Sequence, residues 1–214
     1  MIVVAVIAAI LGAADLGQEL EAIQQRVSAV RSVEARFTER RFTALLREPM
    51  VRVGTLQAVA GISRWETTSP DPSTTIVTGE AVRIYYPQDK LLEIWEISSP
   101  VGRLASSPIP DLATIRTLFI IEAAGDADPR HLALRLTPID ETLRRHVGHV
   151  RLDLDRANGI VTRMEVAMVG GDRTEVVLDR VKLDTGITAD DLALRVPPDT
   201  REVRRRPPGG NGDP

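Results

Sequence analysis

The chain has 214 residues, 43% of them hydrophobic and 27% charged. That balance describes one globular domain with an ordinary core and excludes a disordered or fibrous chain. A formal net charge of −3 excludes a general attraction to nucleic acid or to an anionic membrane, and the absence of cysteine excludes both a disulfide and a lipid-attachment thiol.

In chain order, Met1 to Leu11 is an uninterrupted apolar run of about signal-peptide length, followed by the small residues Gly12-Ala13-Ala14 before Asp15. Residues 1–14 are therefore expected to be an export signal, which places the product in the periplasm. Asp15 to Val33 carries Leu16, Leu20, Ile23, Val27, Val30 and Val33 on one helical face, with Asp15 as N-cap. From Phe37 onward the signal changes to short extended runs parted by Thr78-Gly79, Pro87-Gln88-Asp89, Asn158-Gly159 and Gly170-Gly171. Asn158-Gly159 predicts a two-residue hairpin between Val150–Asp155 and Ile160–Val169. Val150, Leu152 and Leu154 alternate with Arg151, Asp153 and Asp155, so that strand has one apolar and one solvated face; Met164, Val166 and Met168 repeat the pattern. A second helix is predicted over about Asp111 to Ala124. Arg201 to Pro214, with four arginines and then Pro-Pro-Gly-Gly-Asn-Gly, predicts a disordered tail, with the domain itself at 15–203 and residues 204–214 outside it.

One long helix, many hairpin-linked strands and an inserted helix predict an α+β fold, a strongly curved antiparallel sheet with helices packed on its concave face. Such a plan encloses apolar space, and apolar space without a polar anchor suits acyl chains.

Little in the chain suggests chemistry. His146 and His149 are three apart, which on a strand puts them on opposite faces, so no metal site is expected. His131 follows a loop and reads as solvated. Ser98-Ser99-Pro100 and Ser106-Ser107-Pro108 lack a nucleophile elbow, and no phosphate loop or dinucleotide fingerprint is present. The expectation is a binding protein without cofactor, not an enzyme.

The words V-E-A-R-F-T-E-R-R-F (Val33 to Phe42), L-L-R-E-P (Leu45 to Pro49), V-G-T-L (Val53 to Leu56), I-S-R-W-E (Ile62 to Glu66), I-V-T-G (Ile76 to Gly79) and V-R-I-Y-Y-P (Val82 to Pro87) follow one another in an order that resembles the LolA family of outer-membrane lipoprotein carriers. Leu194 to Pro198 with Glu202-Val203 is similar to that family's ending. The resemblance implies an unclosed β-barrel with a helical lid, and a monomeric carrier or chaperone that shields lipoprotein or lipid acyl chains. It also implies an inner-membrane donor and an outer-membrane acceptor protein, and no nucleic acid. The alternative is a lipid-sensing regulatory module of the RseB type on the same fold. On this reading Phe37, Phe42, Leu56, Trp65, Ile84 and Met164 are the lipid-binding residues, and Leu112, Ile115 and Phe119 the lid. Two positions depart from the carriers' pattern: Ala58-Val59-Ala60-Gly61 stands where they place the charged K/R-x-P word that holds the lid, and Ser63 where they favour a large apolar residue.

Overall fold

The computed structural model describes residues 2–59, 61–97, 108–125 and 128–205, with side chains from residue 15 onward. The serine clusters, Ala60 and residues 206–214 lie outside the described residues. Helix α1 spans Ile2–Ser28. Six strands follow: β1 (Ser32–Phe42), β2 (Met50–Val59), β3 (Ile62–Ser69), β4 (Ser73–Thr78), β5 (Ala81–Tyr86) and β6 (Leu91–Glu96). Then come α2 (Leu112–Leu118), β7 (Phe119–Ala123), β8 (His131–Pro138) and the single turn α3 (Glu141–Arg144). Strands β9 (Val147–Asp155), β10 (Val161–Met168), β11 (Arg173–Leu183) and β12 (Arg201–Arg205) complete the chain.

All twelve strands form one unclosed sheet in the order β12-β6-β5-β4-β3-β2-β1-β11-β10-β9-β8-β7. Every neighbouring pair is antiparallel except β12, which runs parallel to β6. The pairing order follows from hairpins on either side of one long-range antiparallel contact, β1 against β11, in which Phe37 faces Leu178 and Val33 faces Leu183, and from the return of β12 alongside β6.

Alternation assigns the two faces. Leu56, Phe37, Leu178, Val176, Met164, Leu152 and Leu134 share the concave side through the cross-strand registers. The main core lies there, where Leu20, Ile23 and Val27 of α1 and Leu112 and Ile115 of α2 pack on Leu134, Leu152 and Leu154. The convex side carries ion pairs instead: Arg36 with Asp179, Arg163 with Glu175, Arg173 with Glu165 and Arg151 with Asp153. A segment after β11 crosses the convex side, where Leu194 packs on Ala81, Leu92 and Ile94.

Four local expectations change. Asp15 lies inside α1 rather than capping it, and the helix stops at Ser28, so Val33 is a strand residue, fully buried against Ala58 and Ile160. The helix expected to run to Ala124 stops at Leu118, because Phe119-Ile120-Ile121 pair with β8 at Pro138, Thr137 and Leu136. The turn at Asn158-Gly159 is wider than two residues: Asp155 Oδ1 accepts from the backbone N–H of Ala157 at 2.7 Å, and Asn158 Oδ1 accepts from that of Ile160 at 2.9 Å. These side chains shape the backbone as an Asx turn does. Finally, Arg201–Arg205 is strand, not tail, held by Arg205 on Glu93 at 2.8 Å and Arg204 on Glu96 at 3.7 Å.

Gly159 positions α1 against this turn. Its φ is +78°, and a Cβ there would sit 2.4 Å from Val27 Cγ2. Gly159→Ala is expected to cost about 1–2 kcal/mol for the left-handed backbone and roughly 1–3 kcal/mol more for overpacking. Gly186→Ala, at φ +85° with open space around it, should cost only the backbone share. Urea denaturation of both variants measures the difference, and equal losses would show that α1 does not press on the turn.

Candidate functional site

A cavity of about 220 Å³ lies between the concave face of β8–β11 and the short helices above it. Its floor comes from residues two apart on neighbouring strands, which therefore point the same way: Val150 and Leu152 on β9, Met164 and Val166 on β10, Val176 and Leu178 on β11. Valine dominates. Its short, stiff side chain covers the sheet without reaching the roof, so space remains where leucine or phenylalanine would fill it.

The roof is Ile115 of α2, Phe119 at the head of β7, Leu143 of α3, and Pro108 and Pro110 before α2. Two hydrogen bonds hold it in place. Val161 N–H donates to the Pro108 carbonyl at 3.0 Å, and Asp111 caps α2 by accepting from Thr114 N–H at 3.1 Å. Asp111 and Arg163 are the charged residues in a lining that is otherwise apolar. The Arg163 side chain turns from the cavity to the convex side, where it reaches Glu175 at 2.9 Å, so its charge is matched outside the lining.

Trp65 closes the cavity on the β3 side. Its indole N–H donates to Ser63 Oγ at 3.0 Å, and Ser63 is fully buried. The serine that stands in place of a large apolar residue thus anchors the tryptophan ring. Behind it, Phe37 meets the Trp65 ring edge-on, with centroids 5.2 Å apart at 65°. The phenyl ring fits because position 54 is glycine: a Cβ there would lie 2.8 Å from Phe37 Cε1 and 1.9 Å from the Glu66 carbonyl.

Of the lipid-binding residues expected from the sequence, Trp65 and Met164 line the cavity. Phe37 and Leu56 are buried behind Trp65 and support it. Ile84 lies on β5 opposite Thr75 and Glu93, away from the lining, and Phe42 ends β1 beneath the Arg173 guanidinium at 3.9 Å. Of the expected lid residues, Ile115 and Phe119 line the cavity, while Leu112 belongs to the core with α1. Leu136, Leu143, Val147, Val161, Val176 and Leu178 were not singled out from the sequence, although alternation puts several of them on the same face.

The charged groups most strongly bound serve the fold. Hydrogen bonds from Thr185 and Gln57 hold Glu34 below the usual carboxylate range, Arg36 does the same for Asp179, and Arg130 holds Asp128 well below it. None of these groups lines the cavity. Arg64, the nearest cation to Trp65 in sequence, points to the convex side, where it binds Glu66 at 2.6 Å and the Ala193 carbonyl at 3.1 Å. Where the carriers place a charged word, Ala58 is fully buried. Among the described residues no cluster of His, Asp and Glu could hold a metal ion, and no helix is long and apolar enough to cross a membrane.

No protein-family model and no curated protein matches the chain. Solved structures do. An uncharacterized conserved protein from Thermus thermophilus aligns with a TM-score of 0.56 at 16% identity, over 89% of this chain and 99% of that one. MucB in the MucA/MucB complex of Pseudomonas aeruginosa aligns with a TM-score of 0.52 at 14% identity, over 92% of this chain and 72% of that one. A LolA superfamily protein from Nitrosomonas europaea aligns with a TM-score of 0.42 at 10% identity, over 81% of this chain and 97% of that one. At such identities the likeness is one of fold. The chain shares its fold, an unclosed curved sheet with helices on one face, with the Thermus protein and with MucB.

Phe119 carries much of the roof's attachment, being 6% exposed. Phe119→Ala is expected to destabilise the protein by about 3–5 kcal/mol and to enlarge the cavity. Thermal unfolding measures the first effect. A loss below about 1 kcal/mol would mean that the roof is held elsewhere.

Proposed function

We propose that this protein is an exported carrier that shields the acyl chains of lipids or lipoproteins in the cavity under α2 and α3, without covalent chemistry. The observation that carries this reading is the lining: an apolar floor and roof in which Asp111 and Arg163 are the charged residues. The volume is below the roughly 300–1,000 Å³ of pockets that enclose compact drug-sized ligands. It suits a narrow hydrocarbon segment. Each buried methylene contributes about 0.8 kcal/mol, so a segment of eight gives about 6 kcal/mol, reversible enough for a shuttle. A periplasmic setting, removal of residues 1–14, and donor and acceptor proteins in the two membranes belong to the same reading.

Trp65→Glu should abolish uptake of a fluorescent fatty-acyl probe, because the carboxylate would have to be desolvated beside the chain. Ile84→Ser, outside the lining, should take up the probe as wild type does. Unchanged uptake by folded Trp65→Glu, or its loss in Ile84→Ser alone, would move the site to the β4–β6 half of the sheet.

The roof should close by apolar contact rather than by an ion-pair latch. Probe release is therefore expected to change little with ionic strength, whereas exposed ion pairs weaken as salt screens them. Strongly salt-accelerated release in stopped-flow measurements would reveal a charged latch.

A regulatory module, in which occupancy changes binding to a protein partner, is the second reading. The likeness in fold to MucB, seen in complex with MucA, favours it.

A further inference from the structure

We propose that the tip of the β1–β2 hairpin docks the protein onto an anionic lipid bilayer and brings the cavity's rim to the acyl chains; the docking rests on the acyl-carrier reading for its purpose, not for its geometry.

The hairpin outreaches the sheet around it. Strand β2 pairs with β3 only from Val53 onward, and β11 stops pairing with β1 at Phe42 opposite Arg173. The connection between Phe42 and Met50 therefore projects past both neighbours. At its apex Leu45 is 94% exposed and Leu46 48% exposed, and Met50 and Val51 below them are also exposed. A single exposed leucine is ordinary on a protein surface, but several on one projecting arm form a patch that water disfavours. The β10–β11 turn lies at the same rim and adds exposed Met168 and Val169.

Charge complementarity identifies the occupant. Arg40, Arg41, Arg47 and Arg52 stand on this arm against Glu39 and Glu48, in a chain whose net charge is −3. Arg40 and Arg41 approach Glu175 and Asp172 at 3.9 Å, while Arg47 and Arg52 are exposed and make no ion pair among the described residues. An apolar apex ringed by arginines matches a leaflet of anionic headgroups over hydrocarbon: leucine enters the acyl boundary while arginine stays at the phosphates. Two copies meeting tip to tip would bring these cations together, which disfavours self-association. Net charge averages over the surface, whereas interactions are screened within about 10 Å, so a basic arm can bind a membrane that the rest of the protein avoids.

The rim also leads to the cavity. Val147, which lines it, pairs with Met168, and Phe119, which roofs it, pairs with Pro138 at the same end of the sheet. A chain leaving the bilayer at this rim meets the cavity without crossing the solvated convex face.

Cosedimentation of the full chain with vesicles of phosphatidylglycerol and phosphatidylethanolamine, against vesicles of phosphatidylcholine alone, tests the proposal. Wild type should partition to the anionic vesicles. Leu45→Ser with Leu46→Ser should weaken partitioning at least about tenfold, and Arg47→Gln with Arg52→Gln roughly fivefold for each charge removed. All four positions are exposed, so unfolding midpoints should not move. Absence of wild-type binding to anionic vesicles overturns the proposal. So does undiminished binding of the leucine variant, including the case in which wild type is a dimer that this change dissociates. Uptake of the soluble acyl probe without vesicles separates the two readings: docking lost with uptake retained in the leucine variant supports the proposal, and docking by a wild type that takes up no probe leaves it standing while the carrier reading fails.

Discussion

The structure depends on covering one apolar face of a very large sheet. A twelve-stranded, mostly antiparallel sheet whose residues alternate apolar and polar presents a continuous hydrophobic surface on one side, and leaving it in water would cost far more than the net stability of a domain this size. Helix α1 meets most of that demand by laying Leu20, Ile23 and Val27 on β8–β10. The rest falls to α2 and α3, of seven and four residues. Elements that short cover the face without filling every gap beneath them, and the cavity is the remainder.

The opposite face solves a different problem. Curvature spreads the strands' outer side chains apart, and here arginines and carboxylates on adjacent strands bridge the intervals, as in Arg36 with Asp179 and Arg163 with Glu175. Exposed pairs of this kind add little stability each. They do keep the outer side solvated, and with it the direction in which the sheet can bury itself. The segment after β11 follows the same logic, sitting apolar at Leu192 and Leu194 and polar where Arg64 reaches the Ala193 carbonyl.

Cavity and rim are built from one hydrophobic inventory used in two ways. Inside, Phe37 over Gly54 and the hydrogen bond from Trp65 to Ser63 hold an aromatic wall rigid beside a valine floor. Outside, Leu45 and Leu46 sit where no strand or helix covers them. A fold selected only for stability would trim such exposed leucines, so their presence on the longest arm belongs with contact to something else apolar.

Alternation along several runs already showed in the sequence which side of the sheet a residue takes: Val150 and Leu152 against Arg151 and Asp153, Met164 and Val166 against Arg163 and Glu165. The helical face from Leu16 to Val27 and the α+β plan were legible for the same reason, since both rest on local periods of two and 3.6 residues. Tertiary structure alone decided which residues of the apolar side are lining and which are filling. Phe37 and Trp65 share a face, and the missing side chain at Gly54 on a different strand sinks one ring and leaves the other at the cavity. Leu112 and Ile115 are one helical turn apart, and only the position of α1 turns the first into core and the second into roof. Ile84 has the right side but the wrong neighbourhood, because β5 lies beyond the reach of α2 and α3. Phe119 to Ala123 became a strand by pairing with the next strand, β8, and Arg201 to Arg205 through a partner far along the chain, β6. Local pattern determines a face. Neighbours depend on the order of long-range pairing, which no short window of sequence contains.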